Sequence, residues 1–97
     1  MAKAYWIATY RSVKNPEALA AYAKLSGPAI VAGGGRILVR GTPAKTYEAG
    51  MDQRTVVIEF PSLQAAQDCY HSTAYQAAKS MRTKASSGDV CIVEGGD

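Results

Sequence analysis

The sequence has little of what metal and cofactor sites need. Its 97 residues include one histidine and two cysteines, and the acidic residues are scattered, so no set of metal ligands can be recognised. Cys69 and Cys91 lie far apart and form no CxxC motif. We therefore predict two buried free thiols in a reducing compartment, and neither a metal nor a cofactor.

Long apolar runs and clusters of charge are also absent. No run approaches the ~18 residues of a membrane span, and the first residues lack the pattern of a secretory signal. The formal net charge is +3, and the 11 Lys and Arg residues are spread along the chain, which gives no electrostatic footprint for nucleic acid. These features predict a cytoplasmic protein with neither a membrane nor a nucleic-acid partner.

What the chain does contain is enough apolar residues, 47%, for one domain spanning residues 1–97. Asn15, Pro16 and Glu17 form a strong helix start, with a capping side chain, a proline in the first turn and a carboxylate near the positive end of the dipole. We expect Gly27 and Pro28 to interrupt this helix. The side chains predicted on its inner side are Leu19, Tyr22, Ala23 and Leu25.

A second helix is predicted after Pro61, with Ser62 as its cap. Ser72 and Thr73 are the expected position of a break, because one unbroken helix to Ala85 would exceed the width of a small domain. The predicted buried stripe, at helical three- and four-residue spacing, is Leu63, Ala66, Tyr70, Ala74, Ala77 and Met81.

The strands are predicted from β-branched runs and alternation. Residues 45–49 are expected to be extended, 50–53 to turn and 86–88 to form a loop. The predicted strands are Ala4 to Arg11, Arg36 to Arg40, Thr55 to Phe60 and Asp89 to Glu94.

This element order predicts an α+β fold of the ferredoxin-like βαββαβ type, a four-stranded antiparallel sheet with the helices on one face. A sheet with one solvated face should alternate apolar and polar residues. Here Tyr5 with Ile7 and Trp6 with Ala8 make both faces apolar. We therefore predict a homodimer that packs sheet to sheet.

Several segments resemble the domain of unknown function 1330 family: Gly27 to Gly41, Arg54 to Tyr70 and Ile92 to Gly95, with Ser72, Tyr75, Gln76 and Arg82. That family is similar to the dimeric α+β barrel superfamily, so the resemblance implies a ferredoxin-like homodimer and no established activity. The sequence departs from the family pattern at Cys69, where tryptophan is frequent, at His71, where an acidic or amide residue is common, and at Ala74, where glutamate is common.

Candidate site residues gather around the predicted break. His71 is the only histidine and a candidate acid or base near neutral pH, with an exposed surface position as the alternative. Tyr75 and Arg82 are candidates for binding an anionic or phenolic group, or they lie on a solvated face. Tyr70 and Ser72 are further candidates for ligand binding, and for Tyr70 the alternative is core packing.

Glu59 lies in the apolar strand before the second helix and is the other candidate base. A carboxylate there must be paired, protonated or placed at an opening. The alternative role is a structural ion pair with an arginine, including one across the dimer.

Two functions are consistent with these residues. The first is a cofactor-independent enzyme acting on a small, partly apolar or carboxylated molecule, by analogy with the superfamily. The second is a non-catalytic dimeric module that binds a small ligand or assembles. An enzyme requires a perturbed titrating group in a concave pocket, whereas a module can have packed tyrosines and an exposed His71.

Overall fold

The computed structural model describes residues 2–48, 50 and 53–96. The strands form one antiparallel sheet in the order β2-β3-β1-β4, and the helices lie on one face, which confirms the predicted ferredoxin-like βαββαβ fold. The elements are β1 (Ala4–Val13), α1 (Pro16–Ala32), β2 (Arg36–Gly41), β3 (Thr55–Phe60), α2 (Leu63–His71), α3 (Thr73–Ala85) and β4 (Ser86–Glu94).

The central strand β1 divides its side chains between the two faces of the sheet. Ala4, Trp6, Ala8 and Tyr10 are buried under the helices, because alternate residues of a strand point to the same side. The partner strand β3 adds Ile58 and Phe60 to this face in register with β1. The hydrophobic core therefore lies between the sheet and the helices.

Helix α1 begins as predicted, with the Asn15 side chain accepting a hydrogen bond from the Ala18 N–H at 3.1 Å. The predicted interruption is wrong, since the helix continues through Gly27 and Pro28 to Ala32. Gly27 lacks the Cβ that would clash with the ring of a following proline, so helical geometry is tolerated there. The inner side is also shifted from the prediction: Leu25 is 50% exposed and Ser26 is buried.

The predicted break in the second helical segment is confirmed at Ser72. This residue ends α2, where its hydroxyl donates to the Cys69 carbonyl at 2.7 Å, and it caps α3 by accepting from the Tyr75 N–H at 3.2 Å. The break shifts the buried face of α3 by one residue. Ala74 and Ala77, predicted to be buried, are exposed, and Tyr75 and Ala78 are buried instead.

Strand β4 follows α3 without a loop, so the loop predicted for residues 86–88 is wrong. Strand β1 runs on to Val13 through a bulge and pairs with these residues, Val13 opposite Ser86 and Tyr10 opposite Gly88. A Cβ at Gly88 would lie 2.5 Å from the Thr9 carbonyl oxygen, which makes glycine necessary at this close approach. Residues 45–48 form no strand, while Ala49 and part of the predicted 50–53 turn fall outside the described residues.

The second face of the sheet carries no covering element in the described chain. The Cα atoms span 37 × 32 × 16 Å, as expected for two layers. Val39 and Val93 are each 50% exposed on this face. Cys91 is exposed there as well, so of the two predicted buried thiols only Cys69 is buried in the single chain.

No helix in the described part of the chain is both long enough and apolar enough to cross a membrane.

Candidate functional site

An aromatic cluster lies beneath the junction of α2 and α3. Trp6 is its centre, with ring centroids 4.7 Å from Tyr75 in an edge-on arrangement, 5.5 Å from Tyr70 and 6.0 Å from Phe60. Edge-on and offset pairs of this kind are stabilising beyond the area they bury. The cluster is the aromatic part of the buried core between the sheet and the helices.

Two tyrosine hydroxyls meet inside this layer. The hydroxyls of Tyr22, from α1, and Tyr75, from α3, lie 3.0 Å apart in a buried hydrogen bond in which either can donate. Tyr75 has no exposed surface. Burial, followed by the adjacent Tyr22, raises the pKa of the Tyr75 hydroxyl well above the usual 10.0, because an anion would be poorly solvated there.

Tyr10, on β1, lies next to these two tyrosines. Burial, and then Tyr22, raises the pKa of the Tyr10 hydroxyl, and the positive charges of Arg82 and Arg54 partly oppose the rise. The Arg82 guanidinium lies 5.8 Å from the centroid of the Tyr22 ring, within the range of a cation–π interaction. Tyr10, Tyr22, Tyr75 and Arg82 are therefore one polar group inside an apolar layer, and we call it the tyrosine group.

Tyr10 also forms the wall between two cavities. The first is a cleft between α1 and the β2-β3-β1 part of the sheet, and the second is a cavity of similar volume that is lined by Arg82, Thr83 and Ser86. The cleft has a cavity volume of about 40 Å³, room for one water at ~30 Å³ each. The main side chains lining the cleft are Trp6, Tyr10, Leu19, Tyr22, Ser26, Ile30, Ile37, Arg40, Arg54, Val56 and Ile58.

Binding anything larger than water requires the cleft to widen. The helix above it, α1, packs chiefly against α3, whereas α2 packs against β1, β3 and β4 of the sheet. Arg40 is exposed and most other lining residues are buried or half-buried, so the cleft opens at its Arg40 end. The groove between α1, α2 and α3 has a larger cavity volume, about 380 Å³, but it is lined by no tyrosine or arginine, whereas the cleft is lined by two of each.

The structure brings together some of the predicted site residues. Tyr75 and Arg82 both belong to the tyrosine group, and Tyr70 lies against Tyr75 with ring centroids 5.4 Å apart. Tyr70 also has the Lys79 ammonium 5.2 Å from its ring centroid. Ser72 serves as the shared cap of α2 and α3 and lines a groove between α1 and these helices.

The two candidate bases lie elsewhere. His71 is exposed at the end of α2, edge-on to Tyr70 with centroids 5.4 Å apart. Glu59 lies on the uncovered face of the sheet, where its carboxylate is 3.6 Å from the Lys3 ammonium; the partner within the chain is thus a lysine, not the predicted arginine. Neither side chain lines the cleft.

Sequence reasoning did not select Tyr10, Tyr22, Arg40 or Arg54 as site residues. They come from four parts of the chain, β1, α1, β2 and the residue just before β3, and meet only through the register of the sheet and the packing of α1. The sequence did contain a signal for two of them. Tyr10 lies on the same face of β1 as Trp6, and Tyr22 lies on the inner side of α1. Among the described residues, no group of three or more histidine, cysteine, aspartate and glutamate side chains is placed to hold a metal.

Comparison with known proteins gives a family and a fold. The family model described as Domain of unknown function (DUF1330) matches residues 3–96. A protein of unknown function from Rhodopseudomonas palustris superposes with a TM-score of 0.72 at 18% identity, covering 99% of this chain and 84% of that chain. No protein of curated function matches the sequence.

Two further solved structures share the fold. SnoaB, a cofactor-independent oxygenase from Streptomyces nogalater, has a TM-score of 0.70 at 8% identity, covering 100% of this chain and 96% of that chain. A dimeric ferredoxin-like protein of unknown function from Bacteroides fragilis has a TM-score of 0.55 at 14% identity, with 96% of each chain covered. At these identities the likeness concerns the fold alone.

Proposed function

Since this chain belongs to the Domain of unknown function (DUF1330) family, we propose that it is a homodimer that binds a small, partly apolar molecule in the cleft between α1 and the sheet. We further propose that it acts on this molecule as a cofactor-independent enzyme. The observation that carries the proposal is Tyr10, a buried phenol with a raised pKa that lines two cavities at once.

The chemistry of the cleft suits a small molecule with one polar end. Its walls are mainly aliphatic and aromatic, and hydroxyls from Tyr10 and Tyr22 face the same layer as the buried Ser26. Ligand sites typically combine an apolar lining with a few converging polar groups. A neutral phenol can donate a hydrogen bond to a carbonyl or phenolate oxygen, and Arg82 stabilises negative charge that develops near Tyr10.

The uncovered face of the sheet supports the homodimer. Apolar side chains there include Ile7 and Val57, directly paired across β1 and β3, and the exposed Val39 and Val93. An apolar sheet face of this kind is normally covered by a partner surface. The dimeric structural neighbour from Bacteroides fragilis shows that this fold occurs in dimers. In such a dimer, Glu59 and Lys3 would lie at the interface, as a structural ion pair.

One feature supports the proposed enzyme activity. A titrating group with a shifted pKa in a concave pocket is typical of catalytic sites, and Tyr10, with a raised pKa, lines the cleft. His71 and Glu59 remain predicted bases only, because neither lines the cleft. The structural neighbour SnoaB, named as a cofactor-independent oxygenase, is an example of this fold in an enzyme of that class.

A non-catalytic binding module is the second candidate, and one observation favours it. His71 is exposed and Tyr75 is fully packed, the arrangement expected when neither takes part in chemistry. Turnover separates the two candidates, since a module binds its ligand unchanged.

Ligand binding in the cleft is tested by filling it. We expect Ala23→Leu, in the cleft lining, to weaken binding of any ligand found by screening about tenfold or more, since the larger side chain occupies the ligand's space. Binding is followed by the indole N–H resonance of Trp6, the single tryptophan. Ala20→Leu, on the exposed side of the same helix, is the control and should bind normally. Equal binding by both variants would contradict the proposed site.

The predicted ligand-binding role of Arg82 is tested in the same screen. Arg82 lines the cavity on the other side of Tyr10 and not the cleft, so it would act on a bound ligand through Tyr10. Arg82→Gln should therefore weaken binding by less than Ala23→Leu does, and His71→Ala should leave binding unchanged. Normal binding by Arg82→Gln would remove the tyrosine group from the site.

A further inference from the structure

The open end of the cleft carries two arginines, Arg40 and Arg54. In the ladder between β2 and β3, Arg40 lies opposite Val56 on the helix-covered face. The Arg54 carbonyl accepts a hydrogen bond from the Tyr10 N–H at 3.1 Å, which extends β3 by one residue and places Arg54 on the same face as Val56. Two residues diagonal across adjacent strands are close enough for long side chains to meet.

Both arginines line the cleft, and no described carboxylate lines it with them. The ion pairs in the described part of the chain are Lys3 with Glu59 and Arg11 with Asp89. Like charges on neighbouring strands repel each other. An anion between the two guanidinium groups would relieve this repulsion and accept paired hydrogen bonds from each.

The rest of the cleft defines what the anion is attached to. Besides the arginines, the cleft is lined by the apolar side chains of Trp6, Ile30 and Ile58 and by Tyr10 and Tyr22. An aromatic ring suits a lining that includes a tryptophan and two tyrosines. A polar substituent on the far side of the ring would reach the tyrosine hydroxyls.

We propose that Arg40 and Arg54 together bind the carboxylate of a small aromatic monocarboxylic acid whose ring enters the cleft. This inference rests on the proposed function, because it assigns a substrate class to the same cleft. The proposal gives the two ends of the ligand different partners. Arg40 and Arg54 bind the carboxylate at the entrance, and Tyr10 and Tyr22 face the opposite end of the ligand. Arginine suits the first role, since its planar fork matches a carboxylate.

The test compares 4-hydroxybenzoate with its neutral counterpart 4-hydroxybenzamide on the full chain. Binding is followed by the Trp6 indole N–H resonance. We expect the carboxylate to bind about tenfold more tightly than the amide, and Arg40→Gln with Arg54→Gln together to abolish this preference. Lys84→Gln, which removes one positive charge from an exposed position on α3, should leave the preference intact.

The possible failures are distinct. If both compounds shift the Trp6 resonance with equal affinity, the carboxylate site is overturned while the cleft remains a binding site. If the double variant keeps the preference, the carboxylate binds elsewhere and the inference is overturned. If neither compound shifts the Trp6 resonance at millimolar concentration, the cleft does not bind this class of ligand and the inference is overturned. Normal ligand binding by Ala23→Leu is the result that would overturn the cleft as the binding site.

Discussion

The two faces of the sheet are built from the same strands and similar residues, yet they differ in what lies against them. On the helix-covered face Trp6 and Ile58 are 1% and 2% exposed, whereas on the other face Val39 and Val93 are each 50% exposed. Apolar side chains are stabilised only when something removes them from water. The covered face therefore supports the fold, and the uncovered face is available for assembly.

The polar contacts on the two faces also differ in how far they are shielded from water. The covered face holds a buried hydroxyl pair between Tyr22 and Tyr75, and the uncovered face holds the exposed ion pair of Arg11 and Asp89, 2.7 Å apart. A hydrogen bond shielded from water is costly to break, whereas an exposed ion pair contributes little. The polar contact that matters for stability is thus the one on the covered face.

The largest expected effect comes from a cavity on the covered face. Ile58→Ala should lower the free energy of unfolding by about 2–5 kcal/mol, because the side chain is almost fully buried and its removal leaves a void. Denaturant unfolding at a fixed protein concentration measures the change. Val31→Ala, at a position on α1 that is 65% exposed and lies outside the proposed dimer face, is the control, with an expected change within about 0.5 kcal/mol. Equal losses in the two variants would contradict the role of Ile58 in the core.

A charge on the uncovered face should break the proposed dimer without unfolding the chain. Val57→Asp places a carboxylate in the predicted interface, where an unpaired charge costs about 3 kcal/mol, and we expect the dimer dissociation constant to rise about 100-fold. Sedimentation velocity measures the assembly, and circular dichroism checks the fold. Val57→Ile should assemble normally. An unchanged assembly of Val57→Asp would place the interface on another surface.

The smallest of the three effects concerns the buried hydroxyl pair. Tyr75→Phe leaves the Tyr22 hydroxyl without its partner and should lower the free energy of unfolding by about 1–3 kcal/mol. Tyr47→Phe, at a position that is 74% exposed, is the matched control and should change it by less than about 0.5 kcal/mol.

The same variant has a pH signature. Because burial raises the pKa of Tyr75 and Tyr10 above the usual 10.0, the folded chain holds these protons more tightly than the unfolded chain. The stabilisation from the neutral phenols is fully present below pH 10.0 and is lost as the pH rises above it. Tyr75→Phe should flatten this decline. An identical decline in both proteins would show that Tyr75 does not carry it.

Local signals in the sequence were sufficient for the order of elements. Asn15 and Ser62 cap helices as predicted, and Ser72 breaks the second helical segment. The errors arose where tertiary contacts decide. Gly27 lets α1 continue into Pro28, and the extension of β1 past its bulge draws Ser86 and its neighbours into a strand.

The candidate site was only partly accessible to sequence reasoning. Tyr75 and Arg82 could be predicted because their spacing with His71 places all three on one side of an uninterrupted helix. Tyr10, Arg40 and Arg54 approach each other only when β1, β2 and β3 are in register, and local spacing contains no information on that register. The exposed position of His71 likewise follows from the break at Ser72, which separates it from the face that carries Tyr75.

Native mass spectrometry of the purified chain, with and without added 4-hydroxybenzoate, tests the division between the two faces most directly. We expect the mass of two chains, and with ligand an added mass of up to one molecule per chain, since assembly and binding use opposite faces. A single chain at all working concentrations, or a ligand that separates the dimer, would contradict this division.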